Sequence, residues 1–296
     1  MRWTLDFLGA WGDDASLIVE ENIIVNVDAF DGQLHWYPFL SPIDAGWRAM
    51  LGACSDVAVK GGKPMWALVA VRIPRWYMGD VYRDFLRGAS GFCREMGCKI
   101  IGGDTDVAEG DGFRASVFVA GPARRYVGRR GARPGDFVLS TGAFGIGAVL
   151  YRGYKGGCYA KAVRAFRRPR LPDLEPWLRV LSTATSSIDN SDGLAVSLHL
   201  LAEASNVGIV VEDVPLHPLL VECGGDAEDA LYFSGEEYQF IYTVPREEVD
   251  EALSAMGGFV IGRVVDGKGV RLYSGERVER RGWIGGEGYS GSRGDP

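Results

Sequence analysis

Acidic residues recur along this chain on tight turns and at strand ends. They fall at Gly12-Asp13-Asp14, at Asp28 after an apolar run, at Ser55-Asp56, and at Gly102-Gly103-Asp104-Thr105-Asp106. Two more groups follow, Asp189-Asn190-Ser191-Asp192-Gly193-Leu194 and Gly235-Glu236-Glu237-Tyr238. Carboxylates on glycine-rich turns add little to a core but suit hard divalent cations held against phosphate oxygens. Each group also has an ordinary explanation. Gly-Asp is a common turn pair, and an Asp or Ser ahead of a helix satisfies orphan amides. Capping accounts for one acidic residue between 189 and 192 and leaves the second without a task.

Two positions are more pointed. Asp28 ends an apolar strand, where a carboxylate without a partner costs free energy. A metal ion, a helix N-terminus or an arginine would serve. Asp56 lies on a helix among Gly52, Ala53, Val57 and Ala58, small neighbours that imply close packing and a carboxylate aimed into a cleft; a solvated polar face is the other reading. The glycine pair at 102–103 permits close approach of a phosphate, with Asp104 holding a bridging cation.

Other chemistries find little support. No Gly-x4-Gly-Lys-Ser/Thr occurs, no serine sits in Gly-x-Ser-x-Gly, and His35, His199 and His217 are not spaced as a zinc pair. The run Thr141 to Gly147 lacks dinucleotide-fingerprint spacing. At 296 residues, 47% hydrophobic and 24% charged, the chain has room for one large or two medium domains. A net charge of −7 argues against binding nucleic acid by broad phosphate neutralisation, yet admits a nucleotide whose charge is met by bound cations. No run approaches the ~20 apolar residues of a membrane helix, and the N-terminus lacks a signal-peptide pattern. The five scattered cysteines read as reduced, buried thiols of a cytoplasmic protein.

The elements that would position these residues alternate. Strands are expected at 16–19, 23–27, 65–71, 99–101 and 115–120, and helices at 45–59 and 80–96, an α/β first half. Arginines, glycines and a proline between 126 and 136 mark a connection, dividing the chain into residues 1–125 and 126–296. Strands are then expected at 137–140, 208–211, 240–244 and 259–264, with a helix at 194–204.

Taken in order, these motifs resemble the thiamine-monophosphate kinase family, in the aminoimidazole-ribonucleotide-synthetase-like superfamily. The match runs through Gly12-Asp13-Asp14-Ala15, Val27-Asp28 with His35, and Ser55-Asp56 through Pro64. It continues in Gly102-Gly103-Asp104-Thr105, Arg133 through Gly145, Ser187 through Leu194, and Gly235-Glu236-Glu237-Tyr238. Lys60, Glu237 and Gln239 depart from the family pattern, and only Gly282-Trp283 remains of its closing motif, which leaves the acceptor open.

The resemblance implies an α/β domain that dimerises through its sheet, followed by an α+β domain, and transfer of a phosphoryl group from ATP to thiamine monophosphate. It implies that Asp14, Asp28, Asp56, Asp104, Asp189 and Asp192 share several Mg²⁺ ions. Gly103, Asp104, Arg129 and Ser191 would meet ATP, and His35, Glu236 and Trp283 the thiamine phosphate. No general base is implied. Alternatives are a sibling ATP-using enzyme acting on another acceptor, or a nucleotide-binding protein without catalysis. The physics agrees with a cation-rich kinase site. Two unit charges 4 Å apart repel by ~4 kcal/mol at an effective dielectric near 20, and several such pairs meet when two phosphates approach.

Overall fold

The computed structural model describes residues 12–110, 112–154, 156–284 and 288–289. Strands β1 (Ser16–Ile18), β2 (Ile23–Asp31), β3 (Trp66–Pro74), β4 (Lys99–Ala108) and β5 (Arg114–Pro122) form a first sheet in the order β1-β2-β5-β3-β4. Only β3 and β4 run parallel; the other pairs are antiparallel. The expected alternation of strand and helix thus builds a mixed sheet.

Helices α1 (Pro42–Val59) and α2 (Asp80–Met96) belong to this first unit. Helix α1 starts three residues before its expected first turn. Ser41 and Asp44 form a reciprocal capping box, and Pro42 occupies the first turn, where a missing N–H costs nothing. Buried residues lie all round α1, as befits a helix enclosed on every side. Helix α2 is one-sided, burying Phe85, Ala89 and Phe92, and it stops at Gly97 with φ +73°. The two helices cross closely because of two glycines. A Cβ on Gly46 would stand 1.9 Å from the carbonyl oxygen of Phe85, and one on Gly88 would stand 1.9 Å from that of Ile43.

The strand expected to end at residue 101 runs on to Ala108, so Gly102 through Asp106 lie inside β4. A Cβ on Gly103 would fall 2.0 Å from the Val69 carbonyl oxygen. This glycine lets β4 close onto β3.

The chain leaves the first sheet at Pro122 and enters a second at Phe137. That sheet has the order β11-β8-β10-β6-β9-β7. Its strands are β6 (Phe137–Ser140), β7 (Ser186–Asp189), β8 (Gly208–Val211), β9 (Phe240–Val244), β10 (Phe259–Val265) and β11 (Gly269–Leu272). Helices α3 (Ile146–Tyr151), α4 (Gly157–Phe166), α5 (Leu174–Val180) and α6 (Leu194–Ser205) accompany it, with α7 (Pro218–Glu222), α8 (Ala227–Phe233) and α9 (Val249–Met256). Strands β12 (Trp283–Ile284) and β13 (Gly288–Tyr289) form a separate ribbon.

The end of α1 is tied to the second unit at its edge strand β7. Ser187 Oγ donates to the Val59 carbonyl (2.8 Å) and to that of Val127 (2.8 Å). Trp177 Nε1 donates to the Ala58 carbonyl at 2.9 Å. A buried cluster containing Ala58, Val59, Trp177, Phe240 and Tyr242 fills this seam.

The expectation of isolated reduced thiols is corrected. Cys93 pairs with Cys98 and Cys158 with Cys223 as disulfides, leaving Cys54 free and buried. The second pairing joins α4 to the residue after α7, a proximity 65 residues of separation hide. Among the described residues no helix is long and apolar enough to cross a membrane.

Replacing Gly88 by alanine is expected to lower the unfolding free energy by about 2 kcal/mol, since the new methyl meets backbone that cannot yield. Denaturant titration against the parent protein checks this. An unchanged midpoint would show the α1–α2 contact to be looser than described.

Candidate active site

Four segments distant in sequence bring their carboxylates to one place. Strand β2 carries Asp28, α1 carries Asp56, the end of β7 carries Asp189, and the turn before β1 carries Asp13 and Asp14. Asp192 follows on the turn leading to α6. Oxygens of Asp14, Asp56 and Asp189 lie within 4.8 Å of one another. A cavity of about 210 Å³ opens here, walled by Asp28, Asp56, Asp189, Ser191, Asp192 and Glu236. His35, Arg48, Gly52 and Tyr238 complete much of the lining.

The positioning is specific. Gly52 leaves room for a carboxylate, since a Cβ there would sit 2.6 Å from Asp28 Oδ2. Asn26 donates to Asp56 Oδ2 at 2.6 Å. Ser55 Oγ donates to Asp189 Oδ2 (2.6 Å), and Ser191 Oγ to Asp189 Oδ1 (3.0 Å). The Arg129 backbone N–H donates to Asp13 Oδ2 at 2.9 Å, and its guanidinium bonds Asp14.

Crowding shows in the proton affinities. Burial pushes Asp28 up to about 6, with the charges of Asp189 and Glu236 adding to it. Asp192 rises to about 6 through burial and then Asp189. Asp56 is raised by burial, Asp189 and Asp28, although Lys60 works the other way. Burial lowers the His35 pKa, and its Nδ1 accepts the Asp31 N–H at 2.9 Å.

The other end of the cavity is built around Glu236. Its Oε2 accepts from Tyr37 (2.9 Å) and Tyr151 (3.0 Å) and lies 3.2 Å from Arg48. The Arg48 guanidinium is buried and stacks 4.2 Å from the centre of the Phe166 ring. Glu236 and Tyr238 both have φ of +58°, a left-handed conformation that non-glycine residues adopt rarely and at a cost. The loop is held there from outside: Glu236 N–H donates to the Ser191 carbonyl (2.7 Å) and Tyr238 N–H to that of Asn190 (3.2 Å).

Of the residues singled out in sequence, Asp14, Asp28, Asp56, Asp189 and Asp192 converge, with Ser191, Arg129, His35 and Glu236 beside them. Gly103 and Asp104 stand apart. Asp104 pairs in register with Ala70 and, through it, with Ser116. All three are exposed, on the face of the first sheet opposite α1. The backbone of Trp283 lies in β12, and its side chain is outside the described residues. Glu237 takes no part in lining the cavity: its buried carboxylate accepts the N–H groups of Gly145 and Gly147 where α3 begins, and burial raises its pKa to about 8. Gln239 bonds Thr141. These two departures from the family pattern therefore serve packing.

Arg48, Tyr37 and Tyr151 were missed in the sequence. Arg48 left a trace, as a lone cation among small and apolar positions of α1; the tyrosines left none, because only folding brings them to Glu236.

The donor set of Asp14, Asp56 and Asp189 is all oxygen, which fits a hard cation such as Mg²⁺. Residues 12–123 match the family model for AIR synthase related protein, N-terminal domain, and residues 133–275 that for the C-terminal domain. The thiamine-monophosphate kinase of Pyrococcus abyssi is 31% identical over 285 residues, covering 95% of this chain and 91% of that protein. The chain belongs to the thiamine-monophosphate kinase family. The enzyme of Aquifex aeolicus is 30% identical, with 92% and 91% covered. The structure of AaThiL complexed with AMPPCP and TMP has a TM-score of 0.86 at 28% identity, covering 95% of this chain and 94% of that one. The E. coli hydrogenase maturation protein HypE, at 22% identity and a TM-score of 0.69 over 88% of this chain and 86% of that one, shares the fold alone.

A pH dependence follows. Asp28, Asp56 and Asp192 bind protons more readily folded than unfolded. Without divalent ions these three carboxyls are therefore expected to add stability as pH falls from about 7.5 to about 5.5, outweighing the opposite contribution of His35, His199 and His217, whose pKa values burial lowers. Melting in EDTA across that range should show Tm increasing toward acid, and saturating Mg²⁺ should remove the trend. A Tm in EDTA that falls toward acid over this range would contradict the crowding described.

Proposed function

We propose that this protein transfers the γ-phosphoryl group of ATP to the phosphate of thiamine monophosphate, giving ADP and thiamine diphosphate. The observation that carries this reading is the convergence of Asp28, Asp56, Asp189 and Asp192 on one cavity, with Asp14 within 4.8 Å of Asp56 and Asp189, in a chain of this family. Asp14, Asp28, Asp56, Asp189 and Asp192 would hold Mg²⁺. When bound, that ion supplies neutralising charge to phosphate oxygens.

The residues of the chain divide the remaining work. Arg129 and Ser191 meet the nucleotide phosphates, and the Arg129 guanidinium exchanges its contact with Asp14 for one with ATP. His35, Glu236 and Trp283 hold the thiamine phosphate. Glu236 with Tyr37 and Tyr151 offers an acidic, aromatic surface suited to a cationic heteroaromatic ring. An oxygen of the acceptor phosphate attacks the γ-phosphorus as the bond to the bridging oxygen breaks. The acceptor is already anionic, so no general base is required, and positioning with charge neutralisation suffices.

Residues 1–125 would form the α/β domain for ATP, cations and dimerisation, and residues 126–296 an α+β domain that adds Arg129, Asp189, Ser191 and Asp192 to the same site, in the cytoplasm where ATP is made.

The protein would act as a homodimer. Val27, Leu68 and Ile101 are 66%, 40% and 61% exposed on the first sheet, with Trp66 also on its uncovered side, an apolar surface of the kind that marks an interface. Asp104 and Gly103 lie on the same edge, so their part in binding phosphate would depend on the second copy.

Two measurements test these readings. Incubation with ATP, Mg²⁺ and thiamine monophosphate is expected to yield thiamine diphosphate, and Asp189→Asn to lower kcat roughly 100-fold or more. ATP binding without that product would sink the kinase reading. Leu68→Glu should convert the dimer to monomer in sedimentation velocity. A parent protein that sediments as a monomer at micromolar concentration removes the dimer.

A further inference from the structure

Lys60 is the C-cap residue of α1, and its side chain is wholly buried. A lysine is almost never buried to that degree unless its charge is met. Its Nζ lies 2.9 Å from Asp13 Oδ1 and 2.8 Å from Asp14 Oδ2, and it donates to the Ser187 carbonyl. Three oxygens thus surround Nζ, as many as an ammonium has N–H bonds. Two features separate this lysine from one that reaches for a substrate phosphate. It takes no part in lining the cavity, and its third contact is to β7, across the seam between the two units, so its charge is fixed behind the carboxylates. The Asp13 and Asp14 oxygens stand from Nζ at lengths normal for charge-assisted hydrogen bonds, well beyond the 2.0–2.1 Å of Mg–O bonds.

We propose that Lys60 is a built-in monovalent cation of this site, filling between Asp13 and Asp14 the place a divalent ion would otherwise take. This rests on the reading that the surrounding aspartates hold divalent ions. Asp13 is then a lysine partner and no metal ligand. It also accepts the backbone N–H groups of Asp14 and Arg129, which leaves it little free valence. Asp14 is shared. One oxygen faces Lys60, while an oxygen of the same carboxylate stands within 4.8 Å of Asp56 and Asp189. A fixed positive charge on that shared ligand weakens any divalent ion it helps to bind, because the two cations repel across a short, poorly solvated distance.

The test counts ions on purified protein with Mn²⁺ as the probe, reading free Mn²⁺ by electron paramagnetic resonance. Lys60→Met keeps the stem and removes the charge. It is expected to bind one more Mn²⁺ per chain than the parent, or the same number roughly tenfold more tightly. Asp13→Asn provides an independent arm if the methionine variant does not fold: it is expected to keep the parent's Mn²⁺ count. Equal counts and affinities for parent and Lys60→Met, or loss of an ion in Asp13→Asn, overturn the proposal while leaving the aspartate site standing. A parent protein that binds no Mn²⁺ overturns both. A Lys60→Met chain that melts lower than the parent in EDTA and higher in Mn²⁺ supports the exchange of one cation for another.

Discussion

Like charges held close together govern this structure. Asp28, Asp56, Asp189 and Asp192 line one small cavity with Glu236 beside them and Asp14 within 4.8 Å of Asp56 and Asp189, and each pair at ordinary contact distance repels by several kcal/mol unless something intervenes. Burial first, and that repulsion after it, raises the pKa values of Asp28, Asp56 and Asp192. Arg48, Lys60 and Arg129 are set against it at three points of the periphery. A surface so arranged is poised to take up cations, and with them phosphate.

Holding the carboxylates together requires a rigid frame, and α1 supplies it. Its glycines let α2 press close on one side and make room for the Asp28 carboxylate on another. Its last turn is bound into the second unit through Ser187 and Trp177. The site therefore straddles two cores. Any slip of one against the other would part Asp56 from Asp189, so the hydrogen bonds and apolar contacts of the seam also set the geometry of the cavity. The left-handed Glu236 and Tyr238 carry the same logic to the other end of the cavity. Their strain persists because backbone bonds to Asn190 and Ser191 fix the loop to the turn that bears Asp192.

The family relationship and the geometry bear on different questions. Relatives of about 30% identity over nearly the whole chain define the chemistry of the family. The particular chain decides how its departures are used. Glu237 and Gln239, which differ from the family pattern near the acceptor motif, prove to brace the start of α3 and the strand beside it. Lys60 differs next to the aspartates themselves, where a single charge alters what they can bind.

Much of this was legible in the sequence. Periodicity and the glycines that stop a helix located α1 and α2, apart from the capped first turn of α1, since an amphipathic stripe and a helix stop are local properties of the chain. The ordered acidic motifs pointed to phosphate and cations, because turns and helix caps account for each group singly but not for the whole series. Tertiary structure decided the rest. It carried Gly103 and Asp104 into a long edge strand, where β3 pairing overrode the turn that two glycines imply. It brought Cys158 to Cys223, Tyr37 and Tyr151 to Glu236, and Lys60 to Asp13 and Asp14, contacts that span dozens of residues or more and leave no periodic signal. A sequence fixes which groups are present and their local conformational bias. The distance between charges, which sets proton affinity and ion binding alike, exists only once the two sheets have closed on α1.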